Sequence, residues 1–158
     1  MRKKALIIPF QKIKTSKKYF KNKKTVLVGG CFDLIHFGHL QFLKKAKACG
    51  DFLIVALESD EFIKKNKRKS PIHSQEERAE VLSSLNFVDL VIKIPYFSAN
   101  RDYFEMVNAI SPKIVAVTDG DPQLENKKKQ VELIGGQLKI VTALLRKFST
   151  RKIISDFN

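Results

Sequence analysis

The chain predicts an α/β fold: a doubly wound, parallel, five-stranded sheet with helices on both faces. Three observations carry this. Short unbroken apolar runs at residues 52–57 and 114–117 have the composition of strands covered on both faces of a parallel sheet. Segments with helical spacing and helix-start signals alternate with those runs, which implies right-handed crossovers. Finally, the run at 25–28 passes through Gly29-Gly30 toward a helix, so a turn lies at the carboxyl edge of the sheet, where doubly wound folds hold their ligands.

Taken in order, residues 1–24 read as a basic lead-in, irregular except for a short helix near 16–22, and residues 25–158 as one domain. The first strand is 25–28. A helix over 36–49 buries Leu40, Leu43 and Ala46, with Gly50 as its C-cap. The second strand, 52–57, leads into a short helix at 60–65 and a basic loop at 66–70. Ser74 and Glu77 form a capping box for a helix over 75–85. A third strand spans 88–94, and a helix over 100–110 stops before Pro112. The fourth strand, 114–117, runs into the loop Thr118-Asp-Gly-Asp-Pro122. A helix over 124–134 ends at Gly135-Gly136, a fifth strand follows at 139–141, and Ser149 caps a last helix over 151–156.

At 158 residues and 44% apolar content, the chain is long enough for a single real core. No apolar run approaches the roughly 20 residues that cross a bilayer, and 5–10 is too short for a signal peptide. Two cysteines, Cys31 and Cys49, make no disulfide framework, so the expected address is the reducing cytoplasm. Thirty Lys and Arg against sixteen Asp and Glu give a net charge of +14, a field that attracts triphosphates, sugar phosphates and nucleic acids. A nucleic-acid-binding module is a rival reading. Against it, the chain has three Tyr, no Trp and no RNP-type motif.

The chemistry concentrates after the first strand. His36 and His39 are three apart, so a helix places them on one face, and Gly38 between them leaves the backbone open to a ligand. A glycine turn entering a helix N-terminus is an anion site, to which two imidazoles add hydrogen-bond donors. A rival arrangement puts zinc among Cys31, His36 and His39, although the only other histidine, His73, lies in a separate block.

The pattern Gly30-Cys-Phe-Asp-Leu-x-His36-x-Gly38-His39 resembles the signature of the cytidylyltransferase-like nucleotidyltransferases. Two more blocks fall in that family's order: 71–78, with Arg78, and Phe148-Ser-Thr-Arg-Lys-Ile-Ile154. The resemblance implies a Rossmann-like fold and transfer of a nucleotidyl group from a triphosphate to a phosphorylated acceptor, with magnesium and release of pyrophosphate. An ionised phosphate needs no general base, so catalysis of this kind is positioning and charge stabilisation. His36 and His39 are then the donors to the triphosphate. Gly29, Gly30 and Phe32 offer backbone N–H groups, and Cys31 is an inert thiol where some members have threonine. Asp33 orients a histidine, helps hold a metal or caps the helix.

A phosphate-binding lysine is expected at Lys64 or Lys67. Arg78 contacts nucleotide or phosphate, or else is an exposed helical arginine paired with Glu77 or Glu80. Gly120 and Asp121 match a nucleotide-contacting Gly-Asp pair. Ser149 and Thr150, flanked by Arg146, Phe148 and Arg151, meet the outer phosphates, with a simple N-cap as the alternative for Ser149. Within the family the Gly-Cys-Phe-Asp form looks like the heptose-1-phosphate adenylyltransferase branch, which favours ATP and a sugar 1-phosphate. Glycerol 3-phosphate with CTP, and flavin mononucleotide (FMN) with ATP, are the alternatives. Family members are often dimers.

Overall fold

The computed structural model describes residues 4–143 and 149–156. Six strands form one parallel sheet: β1 (Leu6–Pro9), β2 (Thr25–Gly30), β3 (Phe52–Leu57), β4 (Leu90–Lys93), β5 (Ile114–Thr118) and β6 (Gln137–Thr142), in the order β1-β4-β3-β2-β5-β6. The Rossmann-like architecture is as expected, with one strand more than the five anticipated. The extra strand, β1, comes from the lead-in and pairs with β4 from Leu6 opposite Leu90 to Pro9 opposite Lys93. Four residues ending in proline make a weak strand signal, and such a strand is tolerated at a sheet edge, where Pro9 owes no ladder hydrogen bond.

The helices are α1 (Ile13–Ser16), α2 (Phe37–Lys47), α3 (Asp60–Lys67), α4 (Gln75–Ser83), α5 (Asn100–Ile110), α6 (Leu124–Leu133) and α7 (Thr150–Ser155). Alternation along the strands sorts the core onto two faces. Leu27, Ile54, Ala56, Ile92 and Val115 meet Met106, Val107 and Ile110 of α5, Val131 of α6, and Ile13 and Phe20 of the lead-in. Val28, Leu53, Val55, Val91 and Ala116 meet Phe42, Leu43 and Ala46 of α2, and Ala79 and Leu82 of α4. From β2 the chain steps outward to β3 and β4, then returns to β5 on the other side of β2. The strand order therefore reverses between β2 and β5, the crevice where such sheets bind ligands. Among the described residues no helix is long and apolar enough to cross a membrane.

Three local expectations change. Helix α2 starts at Phe37, so His36 is its N-cap rather than part of its first turn. Gly50 is not a left-handed C-cap. A Cβ there would lie 2.3 Å from the Lys24 carbonyl oxygen, so glycine lets the chain pass close to the start of β2. Helix α3 runs through Lys67 and ends at Arg68, which adopts φ 52°, so Lys67 is helical rather than in the loop. The capping box is formed as expected: Glu77 N–H donates to Ser74 Oγ (3.3 Å), and Ser74 N–H donates to Glu77 Oε2 (2.8 Å).

Candidate active site

The site grows from the turn after β2. A Cβ on Gly30 would sit 3.0 Å from the Phe32 ring, so glycine lets the turn fold back on itself. Phe32 is buried at φ 49° and packs edge-on against His39, with ring centroids 5.2 Å apart. His36 holds an extended backbone at the start of α2, and its side chain makes no capping hydrogen bond. The two imidazoles stack, with centroids 3.8 Å apart and planes 20° from parallel. Both Nδ1 atoms are buried without a hydrogen-bond partner among the described residues.

Burial lowers the pKa of both rings. His39 falls to about 4, chiefly by burial and further by the neighbouring His36, with the Leu34 backbone offsetting part of this. Both rings are therefore neutral at pH 7, each with one N–H to donate. An arriving polyphosphate would draw their pKa values up again, because an anion favours imidazolium.

Two cavities adjoin here. One, of about 330 Å³, is lined by Gly29, Gly30, Cys31, Phe32, His36, Gly38, His39, Asp121, Ser149 and Thr150, among others. The other, of about 580 Å³, is walled by Phe62, Tyr96, Phe97, Tyr103 and Met106, with Glu58 and Lys67. Both share Gly29, Gly30, Cys31, Ala116, Asp121 and Lys127, so they meet over the ends of β2 and β5. One chamber can hold a triphosphate against the histidines and the other an acceptor, with their reacting ends together.

Most of the expected residues converge on this place. Asp121 is held: Lys127 Nζ donates to Oδ2 (2.6 Å) and Gln123 N–H to Oδ1 (2.7 Å). Gly120, at φ 75°, makes that turn but lines neither cavity. Ser149 caps α7, accepting from Lys152 N–H (3.2 Å), while Thr150 Oγ1 donates to the Asp33 carbonyl (3.1 Å) and ties α7 to the glycine turn. Lys67 lines the larger cavity; Lys64 is exposed and lines neither. Lys67→Ala is therefore expected to weaken acceptor use about tenfold, the scale of one charge-assisted hydrogen bond, and Lys64→Ala to change little. Steady-state KM values for the two variants check this. Arg146 and Phe148 lie outside the described residues.

Two expectations need correction. Arg78 is neither a phosphate contact nor an exposed arginine: it is 1% exposed and lines neither cavity. Its guanidinium donates to the carbonyls of His73 (3.1 Å), Cys31 (2.6 Å) and Glu58 (2.9 Å), and to Asp60 Oδ1 (2.7 Å). Asp33 neither holds a motif histidine nor caps α2. Its buried carboxylate accepts from the N–H groups of Ile72 (2.7 Å) and His73 (3.1 Å). Together these two residues clamp the 71–78 segment to the turn that carries the histidines.

Cys31 lines both cavities through the turn, but burial raises its thiol pKa, which outweighs the opposing pull of Lys67. It is protonated at neutral pH and a poor nucleophile. Cys31→Ser is expected to retain most turnover, as a rate assay with and without a thiol-alkylating reagent would show.

Residues missed in the sequence are Glu58, Tyr103 and the aromatic wall. Glu58 left one signal: a carboxylate directly after six apolar residues, at the carboxyl edge where ligands bind.

This arrangement of crevice, glycine turn and paired histidines is that of a nucleotidyltransferase. The chain belongs to the cytidylyltransferase-like family, whose model matches residues 27–155. It is 39% identical to the FAD synthase of Pyrococcus horikoshii over 121 residues, 75% of this chain and 79% of that protein. It is 47% identical to the bifunctional protein HldE of Wolinella succinogenes over 102 residues, 64% of this chain but 20% of that protein. Among solved structures, a lipopolysaccharide core biosynthesis protein from Thermoplasma volcanium superposes with a TM-score of 0.64 at 28% identity, covering 77% of this chain and 97% of that one.

Proposed function

We propose that the protein transfers AMP from ATP to a phosphorylated acceptor and releases pyrophosphate. The observation that carries this is the pair of cavities meeting at Gly29–Cys31, one bearing His36 and His39 and the other Lys67. An acceptor phosphate oxygen attacks the α-phosphorus and the bond to the β-phosphate oxygen breaks. The imidazole N–H groups stabilise the charge gathering on the triphosphate.

Magnesium travels with the triphosphate in this scheme and keeps several of its waters. Asp121 is the carboxylate that both cavities share, and no three His, Cys, Asp or Glu side chains gather into a metal cage among the described residues.

The walls of the larger cavity favour FMN as acceptor. Phe62, Tyr96, Phe97 and Tyr103 present aromatic surface suited to a planar ring, and the similarity to an FAD synthase covers most of that protein. A sugar 1-phosphate is the second reading, supported by the Gly-Cys-Phe-Asp form and the identity to HldE. Mass analysis of products from ATP or CTP, each with FMN, heptose 1-phosphate or glycerol 3-phosphate, tests this. The expected product is FAD from ATP and FMN. A cytidylylated product would overturn the choice of nucleotide, and an adenylylated sugar the choice of acceptor.

A further inference from the structure

Glu58 is the first residue past β3, at the carboxyl edge of the sheet, and is 8% exposed. It is pinned at both ends of its peptide: its N–H donates to the Gly30 carbonyl (3.0 Å), and its own carbonyl accepts from Arg78 (2.9 Å). Its carboxyl group is half-satisfied. Oε1 accepts from the Tyr103 hydroxyl (2.9 Å), whereas Oε2 is buried with no partner among the described residues. Glu58 and Tyr103 both line the larger cavity and not the smaller one. A buried polar atom left unpaired at a cavity wall is costly unless a ligand pairs it.

We propose that Glu58 is an acceptor-selecting residue, whose free Oε2 hydrogen-bonds the non-phosphate portion of the acceptor inside the larger cavity. The assignment rests on the reading of that cavity as the acceptor site. The phosphate itself is the wrong partner, since an ionised carboxylate repels it; a ring carbonyl or the oxygen of a sugar hydroxyl is the right one. Tyr103 holds the carboxyl in place from α5, leaving Oε2 without a partner among the described residues.

Protonation sets the direction of the bond. The groups facing Glu58 are Tyr103 from α5, Lys127 from α6, Lys67 from α3, Arg78 from α4, and Cys31 from the turn. Burial outweighs the three cations and the tyrosine hydrogen bond, and holds the carboxyl pKa up at about 7. Below that pH the acid donates; above it, a carboxylate appears beside a dianionic substrate.

The test uses whichever of FMN and heptose 1-phosphate the wild-type protein adenylylates, with KM for acceptor and for ATP measured between pH 5.5 and 8.5. Glu58→Ala should raise the acceptor KM about tenfold at pH 6 and leave the ATP KM within about twofold, the scale of one buried hydrogen bond. Glu58→Gln, which keeps a donor at every pH, should restore the acceptor KM at low pH. It should also remove the part of the wild-type rise above pH 7 that the acceptor's own phosphate does not supply. Equal changes in both KM values, or the same pH profile in wild type and Glu58→Gln, would overturn the assignment while leaving the acceptor site standing. No transfer to either acceptor by the wild type would overturn the acceptor site and this assignment together.

Discussion

His39→Ala is expected to lower kcat about 10³-fold, the upper end of what losing one preorganised oxyanion donor costs, while the protein stays folded. The side chain is half-buried: it stacks on His36, meets the Phe32 ring edge-on and lines the smaller cavity. Its depressed pKa makes a second readout. Folding favours the neutral ring, because the folded value of about 4 lies below the ordinary 6.5. The stability associated with that neutral ring is complete above pH 6.5 and is lost as pH falls from 6.5 toward 4. Wild type should therefore lose melting temperature through that window more steeply than His39→Ala. Near-normal turnover in the variant would remove His39 from the chemistry.

Arg78→Met is expected to cost about 3–5 kcal/mol of folding stability, the range for removing one member of a buried charged network. The substitution would strand the carbonyls of Cys31, Glu58 and His73 and leave the Asp60 carboxylate without its 2.7 Å partner. Denaturant unfolding measures the loss. Because Arg78 lines neither cavity, the fraction that remains folded should keep a nearly normal ATP KM. A variant that folded as well as wild type but bound ATP far more weakly would restore the phosphate-contact reading.

The two residues mark the boundary of what the sequence discloses. The fold was legible because its strands are short apolar runs and its helices carry local start and stop signals, as in the Ser74–Glu77 box. Strand β1 was not, because four residues beside a lysine-rich stretch acquire strand character only by pairing with β4. The histidine pair was legible because its neighbours in sequence are its neighbours in space. Arg78 and Asp33 were misread because their partners lie far along the chain: Arg78 reaches back to Cys31, and Asp33 forward to Ile72 and His73. A charged side chain shows its type in the sequence but not its burial, and burial separates a ligand contact from a structural clamp. For the same reason Glu58 passed unnoticed: its free oxygen exists only because Tyr103, 45 positions on, takes the other.

Pyrophosphate release by the wild-type protein from ATP and magnesium, with FMN or a sugar 1-phosphate added or omitted, shows whether the paired cavities carry out adenylyl transfer. Release is expected only when an acceptor is present, with one pyrophosphate formed for each adenylylated product. Release that ignores the acceptor, or none with any acceptor from well-folded protein, would contradict that reading.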